Sequence, residues 1–529
     1  MTMRRFVLLL SLLLLPAAAL AQAQPYDILF RNARVLDGMG NPWIRADVAV
    51  RGDRIAAVGR LDGAQARRVI DATGLYIAPG FIDPHTHAGA SLDDPQLSAA
   101  EPLLAEGVTT ILANPDGGGP VDLAKQGAAI MKDGVAVNVG LMIGHGSVRQ
   151  AVMGMADRDA TPAELDRMRA LVRKAMEQGA YGLSSGLFYT PGSFAPNSEV
   201  IELAKVVGEY DGVYQSHPRD ESDYTVGVVA SADEVIDVAR QAHIPGVITH
   251  IKVLGPHVWG YSAAIIERVN RAREQGVQVY ADQYPYLASA TALGAALLPR
   301  WAQADGRDAF LKRLDDPATL ARIRTAMADN LERRGGAERI QFRRFVPDPS
   351  IEGHTLAWLA MRRGADPLDV ALDLLRHSEV SIVSFNMNER DVQRFMRQPW
   401  TMTSSDGSLP HFGVGVPHPR SYGSFPRKIR KYALEDGVID LPFAIRSMTS
   451  LTAEVYRLKD RGQLRPGAYA DLAVFDLGEV NDPATYTKPH QLARGMIYVL
   501  VNGRFAVDGG EFTGERPGRL LKRVVTTRR

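Results

Sequence analysis

The feature that most constrains this chain is a rhythm that sets in at Gly80, where short apolar runs ending in polar residues alternate with stretches of helical character. The runs are GFIDPHTH, GVTTILANPD, VAVNVGLMIGHGS, GAYGLSSG, DGVYQSHPRD, PGVITHIKV, VQVYADQYPY and WTMTSSDG, eight in all. Between them lie segments such as TPAELDRMRALVRKAMEQG, whose Thr161-Pro162 start suits an N-cap followed by the first helical position. That alternation predicts parallel βα units. Eight such units close into a (β/α)8 TIM-like barrel, an α/β fold that carries its functional side chains at the C-terminal ends of the strands.

The flanks read differently. From Tyr26 to about Pro79, and again in GQLRPGAYADLAVFDLG and MIYVLVNGRFAVDGG, short apolar runs alternate with turn residues, which is strand-and-turn sequence. We expect both chain ends (24–79 and 461–529) to pair into one small β-sandwich beside a barrel spanning 80–460. A long insertion, about 290–398, separates the seventh and eighth runs. It contains helical segments such as PATLARIRTAMADNLERRGG and PLDVALDLLRHS, and two roles stay open for it, a lid over the barrel mouth or structural padding.

The first residues, MTMRRFVLLLSLLLLPAAALAQAQ, place Arg4 and Arg5 before an apolar run and small-x-small sites, the pattern of a secretion signal over 1–23. The run is shorter than the about 20 apolar residues a spanning helix needs. The expectation is export, most simply to a bacterial periplasm, with no integral membrane segment in the mature chain. The sequence has no cysteine, hence no disulfide and no thiolate ligand. With 61 Lys and Arg against 60 Asp and Glu, no net field would hold nucleic acid or an anionic membrane. A small-molecule partner follows, and the oligomeric state stays open.

His85 and His87 end the first run two residues apart, so in an extended strand both can face the barrel mouth. His217 and His250 close the fifth and sixth runs, and Asp406 closes the eighth. Imidazole nitrogens and carboxylate oxygens are the ligand types that Zn²⁺ and similar ions take, so these strand ends predict a metal centre.

The order FIDPHTH, a His after strand five, a His after strand six and an Asp after strand eight resembles the amidohydrolase superfamily. The narrower motifs GHGSVR, GLSSGLFYTPGSFA, THIKVLGPHVWG, DQYPY, HPRSYGSFPR and MTSLTAEVYRLKDRGQLRPGAYADL resemble the N-acyl-D-amino-acid deacylases, or D-aminoacylases. The resemblance implies one metal site built from His217, His250 and a residue ending strand two, and a weaker second site from His85, His87 and Asp406. In that family the strand-two ligand is typically a cysteine. Here the matching place reads NPDGGG, which offers Asp116 as the bridging ligand and Asn114 as its competitor. GAYGLSSGLFY has no lysine to carry a bridging carbamate, which leaves a strand-two bridge or a single-metal enzyme. One or two divalent ions, zinc by type, are therefore expected.

The same resemblance implies hydrolysis of the linear amide of N-acyl-D-amino acids, with Asp406 as general acid and base. Lys252, Tyr284 and Arg420, and less centrally Arg149 and Tyr189, lie in the matching motifs as groups for the substrate carboxylate. His145 ends strand three within hydrogen-bond reach of a substrate, while His257, His354 and His411 read as loop or structural histidines. The GGG at 117–119 reads as a tight turn at the barrel rim. Two alternatives stand beside the deacylase: a hydrolase of D-containing dipeptides or cyclic amides, of the dipeptidase or hydantoinase type, and a metal-free, non-catalytic binding protein.

Overall fold

The computed structural model describes residues 25–523, so the predicted leader lies outside the described residues. Eight parallel strands form the barrel: β1 (Phe81–Asp83), β2 (Val108–Ala113), β3 (Asn138–Leu141, resuming at Ile143–Gly144), β4 (Gly182–Gly186), β5 (Val213–His217), β6 (Gly246–Ile248), β7 (Val279–Gln283) and β8 (Thr401–Thr403). Every residue of β2, β4 and β5 is buried, as expected for strands between a packed interior and an outer layer of helices. The helix Pro162–Glu177 starts at Thr161 with a capping box: Thr161 Oγ1 accepts from Glu164 N, and the Glu164 carboxylate accepts from Thr161 N. Its buried Met168, Val172, Ala175 and Met176 form one stripe against the barrel.

Closure between β8 and β1 uses side chains where a regular ladder is missing. Asp83 Oδ1 accepts from Ser405 N (3.1 Å) and Asp83 Oδ2 from Ser405 Oγ (2.5 Å). Just above them, Asp406 N donates to His85 O (2.9 Å) and His87 N to Gly407 O (2.7 Å). The seam therefore locks the residues after β1 against those after β8, the two places from which His85, His87 and Asp406 project.

The chain ends share one nine-stranded sheet. Its seam is the antiparallel pair Tyr76–Pro79 and Leu472–Phe475, in the register Leu472 opposite Pro79 and Phe475 opposite Tyr76. The long strand Tyr26–Val35 forks the sheet: its first half pairs with Ala66–Asp71 and its end with Tyr76–Pro79. Phe30, Val48, Val50, Ile77, Leu472 and Leu500 from both ends of the chain fill a common core.

The insertion has its own core and its own sheet. Strands Ser289–Ala292, Ser381–Ser384 and Ile340–Arg344 pair antiparallel, and Leu293, Phe310, Ile323, Met327, Phe342 and Leu374 pack beneath them. The sequence signals there were helical only. The insertion also ends earlier than 398, because Phe395 and Met396 on the helix Glu389–Met396 are buried in the barrel's core. Among the described residues no helix is long and apolar enough to cross a membrane.

Candidate metal centre and substrate pocket

A cavity of about 910 Å³ opens at the C-terminal ends of the barrel strands. The strand ends form its floor, and Thr291, Arg343 and Ser381 of the insertion line one side, so the insertion walls the cavity.

Four imidazoles converge on Asp116. Its Oδ1 lies 3.3 Å from His85 Nε2, 3.5 Å from His250 Nε2 and 3.8 Å from His217 Nδ1, and its Oδ2 lies 3.4 Å from His87 Nε2. Asp406 Oδ1 approaches His87 Nε2 at 3.2 Å and His85 Nε2 at 3.5 Å. Asn114, the competitor on strand two, is occupied: its amide exchanges two 2.8 Å hydrogen bonds with Gln126 and donates to Met142 O. Asp116 faces the histidines, and Asn114 ties down the turn.

Asn114, Asp116, His250 and Asp406 all adopt left-handed backbone conformations, with φ of 63°, 55°, 36° and 47°. Such strain collects where a scaffold must aim a side chain away from its strand. Gly117 (φ 73°) explains the turn sequence: a Cβ there would lie 2.9 Å from Gly186 N and 3.1 Å from Gly146 N. The NPDGGG turn thus packs backbone against the end of β4. A further layer braces the site. Asp282 Oδ1 accepts from His250 N (2.8 Å) and Ser404 Oγ (2.6 Å), and burial pushes the Asp83 carboxyl up to about 7.

Glu221, absent from the residues predicted by sequence, stands 3.2 Å from His250 Nδ1 and 3.6 Å from His217 Nε2. The ligand atoms fall into two overlapping groups, His85, Asp116, His250 and Asp406 in one and His217, Glu221 and His250 in the other, each within 4.8 Å. Both ring nitrogens of His85 and His217, and Asp116 Oδ1, are buried without a hydrogen-bond partner. Buried polar atoms are ordinarily satisfied, and an N/O donor set left unsatisfied at one centre suits a divalent cation.

The fields at the site are strong. Burial pushes the Asp116 carboxyl up, but His85, His217 and His250 outweigh it and hold the group well below the usual carboxylate range. Asp406 is depressed in the same way against burial, chiefly by Arg420, whose Nη1 lies 2.7 Å from Oδ2. Burial lowers His217, whereas for His85 the Asp116 carboxylate overcomes burial and raises the imidazole well above its ordinary value.

The predicted substrate groups divide. Lys252, Tyr284, Arg420 and Tyr189 line the cavity. Lys252 Nζ sits 2.6 Å from Glu221 Oε1 and 2.5 Å from His250 Nδ1, and the Arg420 guanidinium lies 4.7 Å over the Tyr284 ring. Tyr189 stacks obliquely on His217 and bonds Thr291 Oγ1 across to the insertion. Arg149 is a correction. It is fully buried away from the cavity, with Nη1 2.5 Å from Glu199 Oε2 and Nη2 2.5 Å from Arg158 O. His145, four residues earlier on the same helix, bonds the other Glu199 oxygen at 2.9 Å, so one carboxylate absorbs both. Of the remaining histidines, His257 pairs with Asp223 and His411 with Asp94 in surface positions, and His354 stacks on Trp358 in the insertion.

Known proteins share this plan. A profile of the amidohydrolase family matches residues 68–212 and 248–507. The chain is 35% identical to a D-aminoacylase of Alcaligenes xylosoxydans xylosoxydans, over 95% of this chain and 99% of that one. A crystal structure of D-aminoacylase superposes with a TM-score of 0.81 at 34% identity, covering 94% of this chain and all of its own. The N-acyl-D-glutamate deacylase of Bordetella bronchiseptica, solved with zinc and a phosphonate mimic of the tetrahedral intermediate, superposes at 0.79 and 32% identity with the same coverage.

Proposed function

This chain belongs to the amidohydrolase family, and on that premise we propose that it is a metal-dependent hydrolase of the linear amide bond in N-acyl-D-amino acids, yielding a carboxylate and a free D-amino acid. The observation that carries the reading is the convergence of four imidazoles on Asp116 at the barrel mouth, beside the cations of Lys252 and Arg420. His85, His87, Asp116, His217, His250 and Asp406, with Glu221, would hold one or two zinc-type divalent ions. An ion held there supplies Lewis acidity and brings the pKa of water from 15.7 to about 7.

The chain's own residues do the rest. Asp406, anchored through Oδ2 by Arg420, presents Oδ1 toward the cavity, where it takes a proton from the attacking water and returns it to the departing amine. Lys252 and Arg420, which lie 5.6 and 4.7 Å over the Tyr284 ring, receive the α-carboxylate through charge-assisted hydrogen bonds, with Tyr284 beside them in the cavity wall. Tyr189 and Phe188 cover the His217 side of the cavity with apolar surface and limit water there. The leader pattern supports export of the enzyme, most simply to a periplasm.

Purified protein supplied with zinc and assayed on N-acetyl-D- and N-acetyl-L-amino acids, D-containing dipeptides and hydantoins tests the reading. We expect turnover of the N-acetyl-D-amino acids. Turnover of the cyclic amides alone would sink it.

A further inference from the structure

The cavity wall holds one half-buried guanidinium, that of Arg343, with neither a hydrogen bond nor an ion pair among the described residues. Lys252 pairs with Glu221 and Arg420 with Asp406, and buried Arg334 donates to Ser384 Oγ (3.0 Å) and Ala296 O (3.4 Å). Lys125 is exposed at the rim. Arg343 is half-buried in the cavity wall, yet among the described residues its guanidinium has no hydrogen bond and no carboxylate within ion-pair distance. The adjoining Arg344, by contrast, pairs with Glu352 at 3.1 Å.

The backbone aims this side chain. In the strand Ile340–Arg344 the register slips between Phe342 and Arg344, which face Ile382 and Ser381, so Arg343 is the extra residue of a bulge. Bulges re-aim side chains and recur beside active sites. Phe342 points into the insertion's core while Arg343 lines the cavity. A second cleft of about 480 Å³ shares Ala90, Asp93, Arg343 and Ser408 with the cavity, so Arg343 stands where the two meet. Burial, and then Arg420, bring the guanidinium down to about 10, which leaves it charged at neutral pH. Asp406 pulls the other way but is out of contact, and a partly desolvated cation with no carboxylate in contact is costly unless an anion arrives to meet it.

We propose that Arg343 binds a second carboxylate of the substrate, remote from the α-carboxylate, so that the preferred substrates are dianionic N-acyl-D-amino acids. This rests on the deacylase reading above. The second carboxylate can belong to an acidic side chain or to an acyl group that ends in one.

Two matched pairs separate these sources: N-acetyl-D-glutamate against N-acetyl-D-glutamine, and N-succinyl-D-leucine against N-succinamoyl-D-leucine. Within each pair only the charge of the second group changes. We expect the acid of at least one pair to exceed its amide about ten- to a hundredfold in kcat/KM, the reach of a charge-assisted bidentate contact. The favoured pair identifies the source. Arg343→Gln should bring that ratio close to one, and Arg343→Lys, which keeps the charge without the fork, should retain part of it. Ratios of one or less in both pairs for the unmodified protein, which need no variant to fold, would overturn the proposal, as would a ratio that survives Arg343→Gln. A protein that cleaves N-acetyl-D-leucine without any acid preference removes this inference alone. One that cleaves no N-acyl-D-amino acid removes the deacylase reading and this inference together.

Discussion

Replacing Asp406 by Asn isolates proton transfer from ion binding. Asn tolerates the left-handed φ of 47° at this position, so the backbone after β8 has no reason to move. The amide oxygen can take the place of the carboxylate oxygen that lies 2.7 Å from Arg420 Nη1, so that contact keeps a polar partner though it loses the charge. His85, Asp116 and His250 remain from the group that Asp406 completes. What disappears is the capacity to carry a proton, and positioned general acid-base groups contribute about 10²- to 10⁴-fold, or roughly 3–5 kcal/mol of barrel-mouth transition-state stabilisation. Because Asp406 is buried and its Oδ1 faces two imidazoles at 3.2 and 3.5 Å, no bulk water can substitute for it easily, and we expect a loss in kcat near the middle of that range, about 10³-fold. The assay is kcat on an N-acetyl-D-amino acid alongside metal content by elemental analysis and a melting curve. Turnover within about threefold of the unmodified protein, with metal retained, would refute the acid-base role. Loss of metal together with turnover would assign Asp406 to holding the ion instead.

Three further outcomes follow from the geometry. His217→Ala and His250→Ala should remove metal and activity together, and Asp116→Ala should lower metal content far more than Asn114→Ala, since only Asp116 faces the imidazoles; equal losses from the two strand-two variants, by elemental analysis, would contradict that assignment. Lys428 is buried with only Thr403 and Ser447 hydroxyls as acceptors, and burial lowers its amine from 10.5 to about 7. The unfolded chain therefore binds more protons between those values, so this group makes stability rise with pH across that window, by up to roughly 1.4 kcal/mol per unit, and the gain is absent below pH 7. Lys428→Met should flatten that slope in chemical denaturation between pH 6 and pH 9, and an unchanged slope would exclude Lys428 as its source. Phe342→Ala, at a fully buried position in the insertion's core, should cost about 3–5 kcal/mol by the same denaturation assay, and a cost below about 1 kcal/mol would show that the insertion collapses around the gap.

The barrel was legible because its short buried strands are followed at once by polar residues, and His217, the last residue of β5, shows how literally the strand end and the ligand can coincide. The insertion's sheet was not. SATA, IQFRR and SIVS are four- and five-residue strands without the length or alternation that separates strand from loop. Arg149 failed for a different reason: its motif lies at a strand end, but the chain turns helical at His145, and the helical phase carries both His145 and Arg149 toward Glu199. Glu221 was hidden in PRDES, where two adjacent acids look equivalent. Asp220 is consumed by the N–H groups of Ser222, Thr225 and Gly227, and only Glu221 turns back to the imidazoles.

Asp116 shows why chemistry at this position can change while geometry holds. A thiolate or a carboxylate on strand two has to reach the same centre, and the reach is set by the backbone, since β2 ends at Ala113 and the next turn must fold inward within three residues. Left-handed conformations at Asn114 and Asp116 make that fold, Gln126 clamps Asn114 on the outer side, and Gly117 lets the turn press against Gly186 without a Cβ between them. Aspartate accepts φ near 55° more readily than most residues, so the carboxylate satisfies both the turn and the imidazoles. Its two oxygens divide the contacts: Oδ1 lies nearest His85, His217 and His250 while Oδ2 lies nearest His87, so a single side chain faces both halves of the site. A carboxylate in that place favours harder, oxygen-tolerant ions than a thiolate would, so this turn tunes the preference that the imidazoles at the strand ends set.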